Sequence, residues 1–143
     1  MEVSGNDRDT LIKTVMAEAS RDDPAEQSAV AHVILNRVGN KQYGMSVPEV
    51  VFQPGAFESW NTLKLRDPNN KNKPTQYKPN SPGWDQAASV VDKALSGKDT
   101  DPTGGADRFQ QPDIVQGRIQ RKEISASAAA PANAQRIGNQ VFW

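Results

Sequence analysis

The segment from residue 23 to residue 39 constrains the fold of this 143-residue chain most, because both ends of a helix are marked in it. Asp23 is a good N-cap residue, Pro24 suits the first helical position, and Glu26 follows as in a capping box. Gly39 is typical of the residue that ends a helix. Apolar residues recur between these signals at Val30, Val33, Ile34 and Val38. The sequence therefore predicts a helix over 24–38.

Two further helices are predicted on either side of this segment. The first carries apolar residues at helical spacing, namely Leu11, Ile12, Val15, Met16 and Ala19. Asp9 is its expected N-cap, after a flexible lead-in of residues 1–7. The other helix follows Ser81, with Pro82 in its first turn and Gly97 at its end. Its apolar residues are Ala87, Ala88, Val91, Ala94 and Leu95.

The remaining segments have weaker patterns. Residues 47–52 fit either a helical turn or a buried strand, and residues 116–134 fit either a helix or a mobile loop. Residues 53–80 lack periodicity, and a loop of that length in a small domain is often functional. The apolar end at residues 137–143 is expected to dock on the rest of the chain. We therefore predict one domain over residues 1–143, helical at its core.

Composition excludes several classes of function. Seventeen basic and seventeen acidic residues balance, which argues against nucleic acid as a partner. No cysteine is present, and the single histidine makes a zinc site improbable, so we expect no metal. No apolar stretch approaches the roughly 18 residues that span a bilayer, so no membrane insertion is expected.

Glu18 is the first candidate for chemistry. It falls in the last turn of the first predicted helix, at the edge of the apolar face. Partial burial and the negative end of the helix dipole both raise the pKa of a carboxyl group. A protonated glutamic acid is what a general acid at a glycosidic oxygen requires. The alternative is a border residue that pairs with Arg21 or Arg37.

The loop over residues 53–61 is the second candidate. Its aromatic, acidic and amide side chains suit a saccharide cleft, where sugar faces stack on rings and hydroxyl groups meet amides. The residues concerned are Gln53, Phe57, Glu58, Trp60 and Asn61. The alternative is that Phe57 and Trp60 only close the core beneath a loop.

Other polar groups have simpler interpretations. His32 lies among apolar residues of the second helix and is expected to be a hydrogen-bonded structural residue. Gly104-Gly105 lacks the spacing of a nucleotide-binding loop and indicates a turn. The basic cluster of Arg118, Arg121 and Lys122 fits a solvated face, or a surface that attracts anionic wall polymers.

Four blocks, in order, resemble the cell-wall hydrolases related to the spore-cortex-lytic enzyme. The first is Ala17-Glu18-Ala19 followed by a helix that ends in Leu35-Asn36-Arg37-Val38. The later blocks extend over residues 50–57, 101–106 and 137–142. One departure is Asp107-Arg108-Phe109, where the family more often has aromatic residues. Another is Glu58, an acid uncommon after the phenylalanine.

The resemblance implies a lysozyme-like α+β domain, mainly α, with a small β-sheet. It implies a peptidoglycan cleft in which Glu18 is the catalytic acid and Gly105 lies at one edge. The implied reaction is that of a lytic transglycosylase, which cleaves between N-acetylmuramic acid and N-acetylglucosamine and leaves 1,6-anhydro-muramic ends. Glu18 would act as acid and then as base, with no cofactor.

Two alternatives to the transglycosylase are compatible with the sequence. A hydrolytic muramidase would use Glu58 as a second carboxylate, and a different class is a non-catalytic wall-binding or virion structural module. We expect a monomer whose partner is the glycan strand of peptidoglycan. The N-terminus lacks the pattern of a signal peptide, so we expect synthesis in the cytoplasm and delivery to the wall through a holin or a virion, as for a phage endolysin or a virion-associated lysin.

Overall fold

The computed structural model describes residues 3–143. The α-helices are α1 (Gly5–Glu18), α2 (Pro24–Arg37), α3 (Val47–Val51), α4 (Thr62–Arg66), α5 (Trp84–Ser96) and α6 (Pro112–Gln120). Single 3-10 turns lie at Glu58–Trp60, Pro74–Gln76 and Ala126–Ala128. The strands are β1 (Phe109–Gln110), β2 (Gln135–Ile137) and β3 (Gln140–Phe142).

Helix α1 starts earlier than the sequence predicts. Ser4 is its N-cap and accepts a hydrogen bond from the Asp7 backbone N–H at 3.1 Å, so the prediction of Asp9 as the cap was wrong. Gly5–Asp7 form the first helical turn instead of a lead-in, and Val3 packs against the core. Of the predicted flexible lead-in, Met1 and Glu2 lie outside the described residues. The start was missed because Ser4-Gly5 is a weak signal for a helix N-terminus, whereas the apolar periodicity begins only at Leu11.

Helices α2 and α5 follow their local signals more closely. Asp23 caps α2 by accepting from the Glu26 backbone N–H, as predicted, and the helix ends at Arg37 with Val38 as C-cap. Gly97 ends α5 in a left-handed conformation, also as predicted. The predicted place of Pro82 inside the first turn of α5 was wrong. The helix begins at Trp84, because Gly83 adopts a φ of 86° and sets the N-terminus after the proline.

The core lies where α1, α2, α3 and α5 meet. Residues 47–52 form the helix α3 rather than a strand, and Val47, Val50 and Val51 are buried in it. The predicted apolar faces of the long helices are confirmed. The predicted members that are fully buried are Leu11, Ile12, Val15, Val30, Val33, Ile34, Ala87 and Val91, whereas Val38 and Leu95 are only partly buried.

The C-terminal segment docks on this core, as predicted. Strands β1, β3 and β2 form one antiparallel sheet in that order, and Phe142 pairs with Phe109 on one side and Gln135 on the other. The ring of Phe142 stacks on Phe109 at 5.8 Å and is almost completely buried. The described chain is therefore mainly helical with a small sheet, and no helix within it is long and apolar enough to cross a membrane.

The two segments with ambiguous patterns are largely short helices and turns. The long loop predicted over residues 53–80 contains α4 and two 3-10 turns, and it packs against the C-terminal half of α1. The segment 116–134 begins inside α6, which ends at Gln120, and continues as turns. The helices in both segments are short and contain few apolar residues, so no helical periodicity could be recognised in the sequence.

Candidate active site

Glu18 is the last residue of α1, and its carboxyl group faces the loop over residues 53–61. The Ser59 hydroxyl donates a hydrogen bond to Oε1 of Glu18 at 2.7 Å, and the Ser59 backbone N–H donates to the same oxygen at 3.3 Å. Neither Arg21 nor Arg37 forms an ion pair with Glu18. Arg21 donates instead to the Tyr77 hydroxyl at 2.6 Å. The structure therefore favours the catalytic interpretation of Glu18 over the paired one.

The environment of Glu18 raises the pKa of its carboxyl group. Burial is the main cause, because desolvation disfavours the charged form. The two hydrogen bonds from Ser59 act in the opposite direction, and they are outweighed. The nearby charge of Glu58 raises the pKa further, while Lys64 lowers it. Glu18 is therefore biased toward holding a proton, as the sequence predicted.

A cavity of about 330 Å³ opens beside this carboxyl group. The residues around it come from distant parts of the chain: Ala17, Glu18, Arg37, Gly55, Ala56, Phe57, Glu58, Phe109, Gln110, Gln111 and Gln140. The cavity is an open cleft lined by amides, aromatic rings and two carboxyl groups. Such a surface can hold a sugar and present Glu18 to a glycosidic oxygen.

Phe57 and Glu58 both line this cavity but differ in exposure. Phe57 is 4% exposed, and the Arg37 guanidinium lies 5.1 Å from its ring centre. It therefore closes the core as well as forming the cleft floor. Glu58 is exposed and its Oε1 lies 2.7 Å from the Lys64 ammonium group. Glu58 is therefore more exposed than Glu18 and, unlike Glu18, contacts a cation.

Gln53, Trp60 and Asn61 line a second cavity of about 390 Å³ on the other side of the loop, which Phe57 and Glu58 also border. The Trp60 indole N–H donates to the Thr14 hydroxyl at 2.9 Å, which fixes the ring against α1. The Asn61 side-chain oxygen accepts from Leu63 and Lys64 and so caps α4. Asn61 therefore has a structural role whatever else it contacts.

Gly105 does not join the residues around Glu18. It lies in the turn after Asp101, where its backbone N–H donates to the Asp101 carboxylate at 3.0 Å. Asn36 donates to the same carboxylate at 2.9 Å and so ties the turn to α2. The predicted turn is confirmed, and a contact between Gly105 and the substrate stays a prediction.

Three residues near Glu18 were not selected from the sequence as site residues. Ser59 donates to the carboxyl group, Arg37 lines the cavity, and the Gln140 side-chain amide donates to the Glu18 backbone carbonyl at 2.8 Å. Ser59 lies within the candidate loop and Gln140 within the last motif block, so the sequence pointed to their segments but not to these two residues. Nothing in the local pattern separates them from their neighbours.

The other polar groups of interest are structural. His32 contacts the Asp99 carboxylate at 3.3 Å and is almost buried, as predicted. Arg121 pairs with Glu123 at 2.9 Å on an exposed surface. Among residues 3–143, no group of three or more histidine, aspartate or glutamate side chains is arranged to hold a metal ion.

Comparison with known proteins gives consistent matches. The model of the Cell Wall Hydrolase family matches residues 21–143, a range that begins just after Glu18. The catalytic domain of the Bacillus cereus SleB protein is 26% identical with a TM-score of 0.65, over 99% of this chain and 91% of that one.

The catalytic domain of the germination-specific lytic transglycosylase SleB from Bacillus anthracis is 27% identical with a TM-score of 0.63. That match covers 98% of this chain and 95% of the other. Among curated proteins, none matches the chain. The predicted lysozyme-like fold and the resemblance read from the four motif blocks are both confirmed.

Proposed function

The chain belongs to the Cell Wall Hydrolase family, and from this premise we propose that it cleaves peptidoglycan glycan strands with Glu18 as its catalytic acid. One observation carries the proposal. A half-buried carboxyl group, whose pKa is raised by burial, faces a cleft of about 330 Å³ lined by amides and aromatic rings. A raised pKa favours the protonated form of a carboxyl group, which is the form that can give a proton to a leaving oxygen.

The proposed reaction is that of a lytic transglycosylase. Glu18 protonates the oxygen between N-acetylmuramic acid and N-acetylglucosamine, and the bond from that oxygen to the muramic C1 breaks. The muramic 6-hydroxyl attacks C1 while the Glu18 carboxylate takes the hydroxyl proton. The products are a 1,6-anhydro-muramic end and a free N-acetylglucosamine end, and Glu18 is protonated again. The name of the Bacillus anthracis relative supports this reaction.

The substrate contacts follow from the two cavities that share the 53–61 loop. We assign Phe57 and Glu58 to the sugar next to Glu18, because both line its cavity. Gln53, Trp60 and Asn61 line the second cavity and are assigned to a sugar further along the strand. Gly105 is assigned to a distal edge of the cleft from the family resemblance alone.

A hydrolytic muramidase is the second candidate, and the position of Glu58 favours it. Glu58 lines the Glu18 cavity and contacts Lys64, so a second carboxyl group stands beside the proposed proton donor. Two carboxyl groups beside the scissile bond are the arrangement of hydrolytic glycosidases. Glu58→Gln separates the two reactions, because a transglycosylase with a single acid retains its products in that variant.

Clearing of a suspension of purified cell walls tests the assignment of Glu18. We expect Glu18→Gln to lower the rate about 10³-fold, since general acid–base catalysis contributes roughly 10²–10⁴. Asp22→Asn is the matched control, an exposed acid outside the cavities, and should retain the wild-type rate. Wild-type activity in Glu18→Gln would contradict the assignment. Wall binding without clearing by the wild type would point to a non-catalytic module.

Mass spectrometry of the released muropeptides tests the reaction type. We expect anhydro-muramic ends and no new reducing muramic ends from both the wild type and Glu58→Gln. Reducing ends from the wild type, lost in Glu58→Gln, would instead establish the hydrolytic reaction.

A further inference from the structure

A third cavity, of about 470 Å³, adjoins the Glu18 cavity and is used by none of the steps above. The two cavities share Arg37, Gly55, Ala56 and Phe109, so they are neighbouring parts of one cleft. The further lining residues of the third cavity are Gln42, Tyr43, Gln53, Pro54, Arg108 and Trp143. We name it the cationic pocket, because its lining includes two guanidinium groups and no acidic side chain.

Arg37 lies in the wall that joins the cationic pocket to the Glu18 cavity. Its Nε donates to the Asp107 carbonyl at 2.7 Å, and its guanidinium lies between the rings of Tyr43 and Phe57, at 4.8 and 5.1 Å from their centres. The two terminal nitrogens have no hydrogen-bond partner within residues 3–143. Burial lowers the pKa of Arg37, because desolvation disfavours the charged form of its guanidinium.

Arg108 supplies the second charge and is exposed at the mouth of the pocket. Its backbone is fixed by two hydrogen bonds with the Trp143 backbone, at 2.9 and 3.0 Å. Its guanidinium has no ion-pair or hydrogen-bond partner in the part of the chain that the structure describes. The nearby Asp107 carboxylate accepts from the Tyr43 hydroxyl at 3.3 Å and offsets one of the two charges. Among the described side chains, neither guanidinium group therefore has an ion-pair partner.

The substrate of the proposed function offers few anions to meet these guanidinium groups. The two sugars of the glycan strand are neutral. The lactyl carboxyl group of muramic acid is free only where no peptide stem is attached to it, and elsewhere the carboxylates belong to the stem. A lactyl group is attached directly to the sugar ring and stays close to the scissile bond. A stem extends several bonds away, into the next part of the cleft. The volume of the cationic pocket lies within the range of ligand sites, roughly 300–1,000 Å³.

We propose that the cationic pocket binds a carboxylate of the peptide stem, with Arg108 and the free terminal nitrogens of Arg37 as its donors. This inference rests on the proposed function, since it assumes a muramic residue next to Glu18. Guanidinium groups bind carboxylates through two parallel hydrogen bonds, which fix orientation as well as charge. The pocket would thus make the enzyme selective for strands that carry free stem carboxylates. Arg108 is the specificity-determining residue, because Arg37 is also part of the core.

The test uses glycan strands of one length whose wall phosphate polymers have been removed. One sample keeps its stem carboxylates, a second has them converted to amides, and a third has its stems removed by an amidase, which leaves the lactyl carboxylates. We expect the wild type to cleave the first with about tenfold higher kcat/KM than the other two, as one charge-assisted hydrogen bond predicts. Arg108→Gln should cleave all three at the lower rate, and Arg108→Lys should recover part of the preference.

Lys78→Gln is the matched control, since Lys78 is an exposed cation that lines none of the cavities, and it should keep the tenfold preference. An unchanged preference in Arg108→Gln would overturn the inference. A fast reaction on the strands without stems would assign the pocket to the lactyl carboxylate. A preference that exists only before removal of the phosphate polymers would assign it to phosphate. Each of these results leaves the proposed function standing, whereas an active Glu18→Gln would remove that function itself.

Discussion

Glu18 and Glu26 lie on either side of the junction between α1 and α2, and their carboxyl groups meet opposite surroundings. Glu26 is fully buried and accepts hydrogen bonds from the backbone N–H groups of Ser20 and Asn139 and from the Gln140 amide. Within residues 3–143, the Glu18 carboxyl group accepts hydrogen bonds from Ser59 alone, and it opens on a cavity. The first carboxyl group is compensated by the fold and joins three segments. The second is left undercompensated, with a raised pKa, where a substrate can reach it.

The two sites are physically connected through Gln140. Its side-chain amide donates to the Glu18 carbonyl at 2.8 Å and to the Glu26 carboxylate at 3.4 Å. The hairpin formed by β2 and β3 therefore contacts the C-terminal end of α1 and fixes its position. We interpret Glu26 as a structural support of the site and Glu18 as its reacting group.

Glu26→Gln should produce the largest change in stability. The amide of the glutamine would place an N–H₂ group among N–H donors, so at least one hydrogen bond is lost and a buried donor is left unpaired. We expect the free energy of unfolding to fall by about 3 kcal/mol, measured by urea denaturation. Glu49→Gln, at an exposed position, is the control and should change it by less than about 1 kcal/mol. Equal stabilities would show that Glu26 does not support the junction.

Gly138→Ala should have a smaller effect at the same place. Gly138 has a φ of 63°, and an added Cβ would lie 2.5 Å from Oε1 of Glu26 and 2.6 Å from Oδ2 of Asp23. We expect a loss of about 2 kcal/mol in the free energy of unfolding. Gly97→Ala shares the left-handed backbone, at 71°, but has open space around the added atom, so it should cost about 1 kcal/mol. Losses of the same size would mean that the junction accommodates the methyl group.

The smallest expected effect is a difference in how the free energy of unfolding depends on pH. A raised pKa in the folded state gives stability that is present at low pH and is lost as pH rises through that pKa. Glu18→Gln does not titrate, so its stability relative to wild type should increase from pH 4 to pH 7. Each full unit of pKa elevation corresponds to about 1.4 kcal/mol. Urea denaturation at both pH values measures this difference.

Glu123→Gln is the control with the opposite sign. Hydrogen bonding to Arg121 lowers the pKa of Glu123, so that ion pair adds stability above the ordinary carboxyl range. Loss of the ion pair should therefore make Glu123→Gln less stable relative to wild type as pH rises. The effect should be small, because the ion pair is exposed to solvent. Parallel pH trends in Glu18→Gln and Glu123→Gln would contradict the assignment of an elevated pKa to Glu18.

Local signals explain which parts of the fold could be predicted. Asp23, Pro24 and the apolar spacing of α2 all lie within one helix, and that helix forms nearly as expected. The position of Glu18 at the end of α1 was predictable for the same reason. The start of α1 was missed because Ser4 acts through one hydrogen bond, while Asp9 lay closer to the apolar pattern.

The candidate site depends on contacts that the local sequence does not encode. Ser59 reaches Glu18 across 41 positions and Gln140 reaches it across 122. The compensation of Glu26 comes from Asn139, at a separation of 113 positions. The sequence placed Glu26 in a capping box, whereas its side chain turns to the hairpin. Only the packed structure distinguishes the acid that has several hydrogen-bond donors, Glu26, from the acid that faces a cavity, Glu18.

The most direct test of this distinction is a titration of the Glu18 side-chain carboxyl carbon by NMR in the folded wild-type protein. The signal is assigned by its absence from the Glu18→Gln spectrum. We predict a pKa for Glu18 above the ordinary range of glutamate, because burial outweighs the hydrogen bonds from Ser59. A pKa within or below that range would contradict the account, since Glu18 would then have no proton to give at neutral pH.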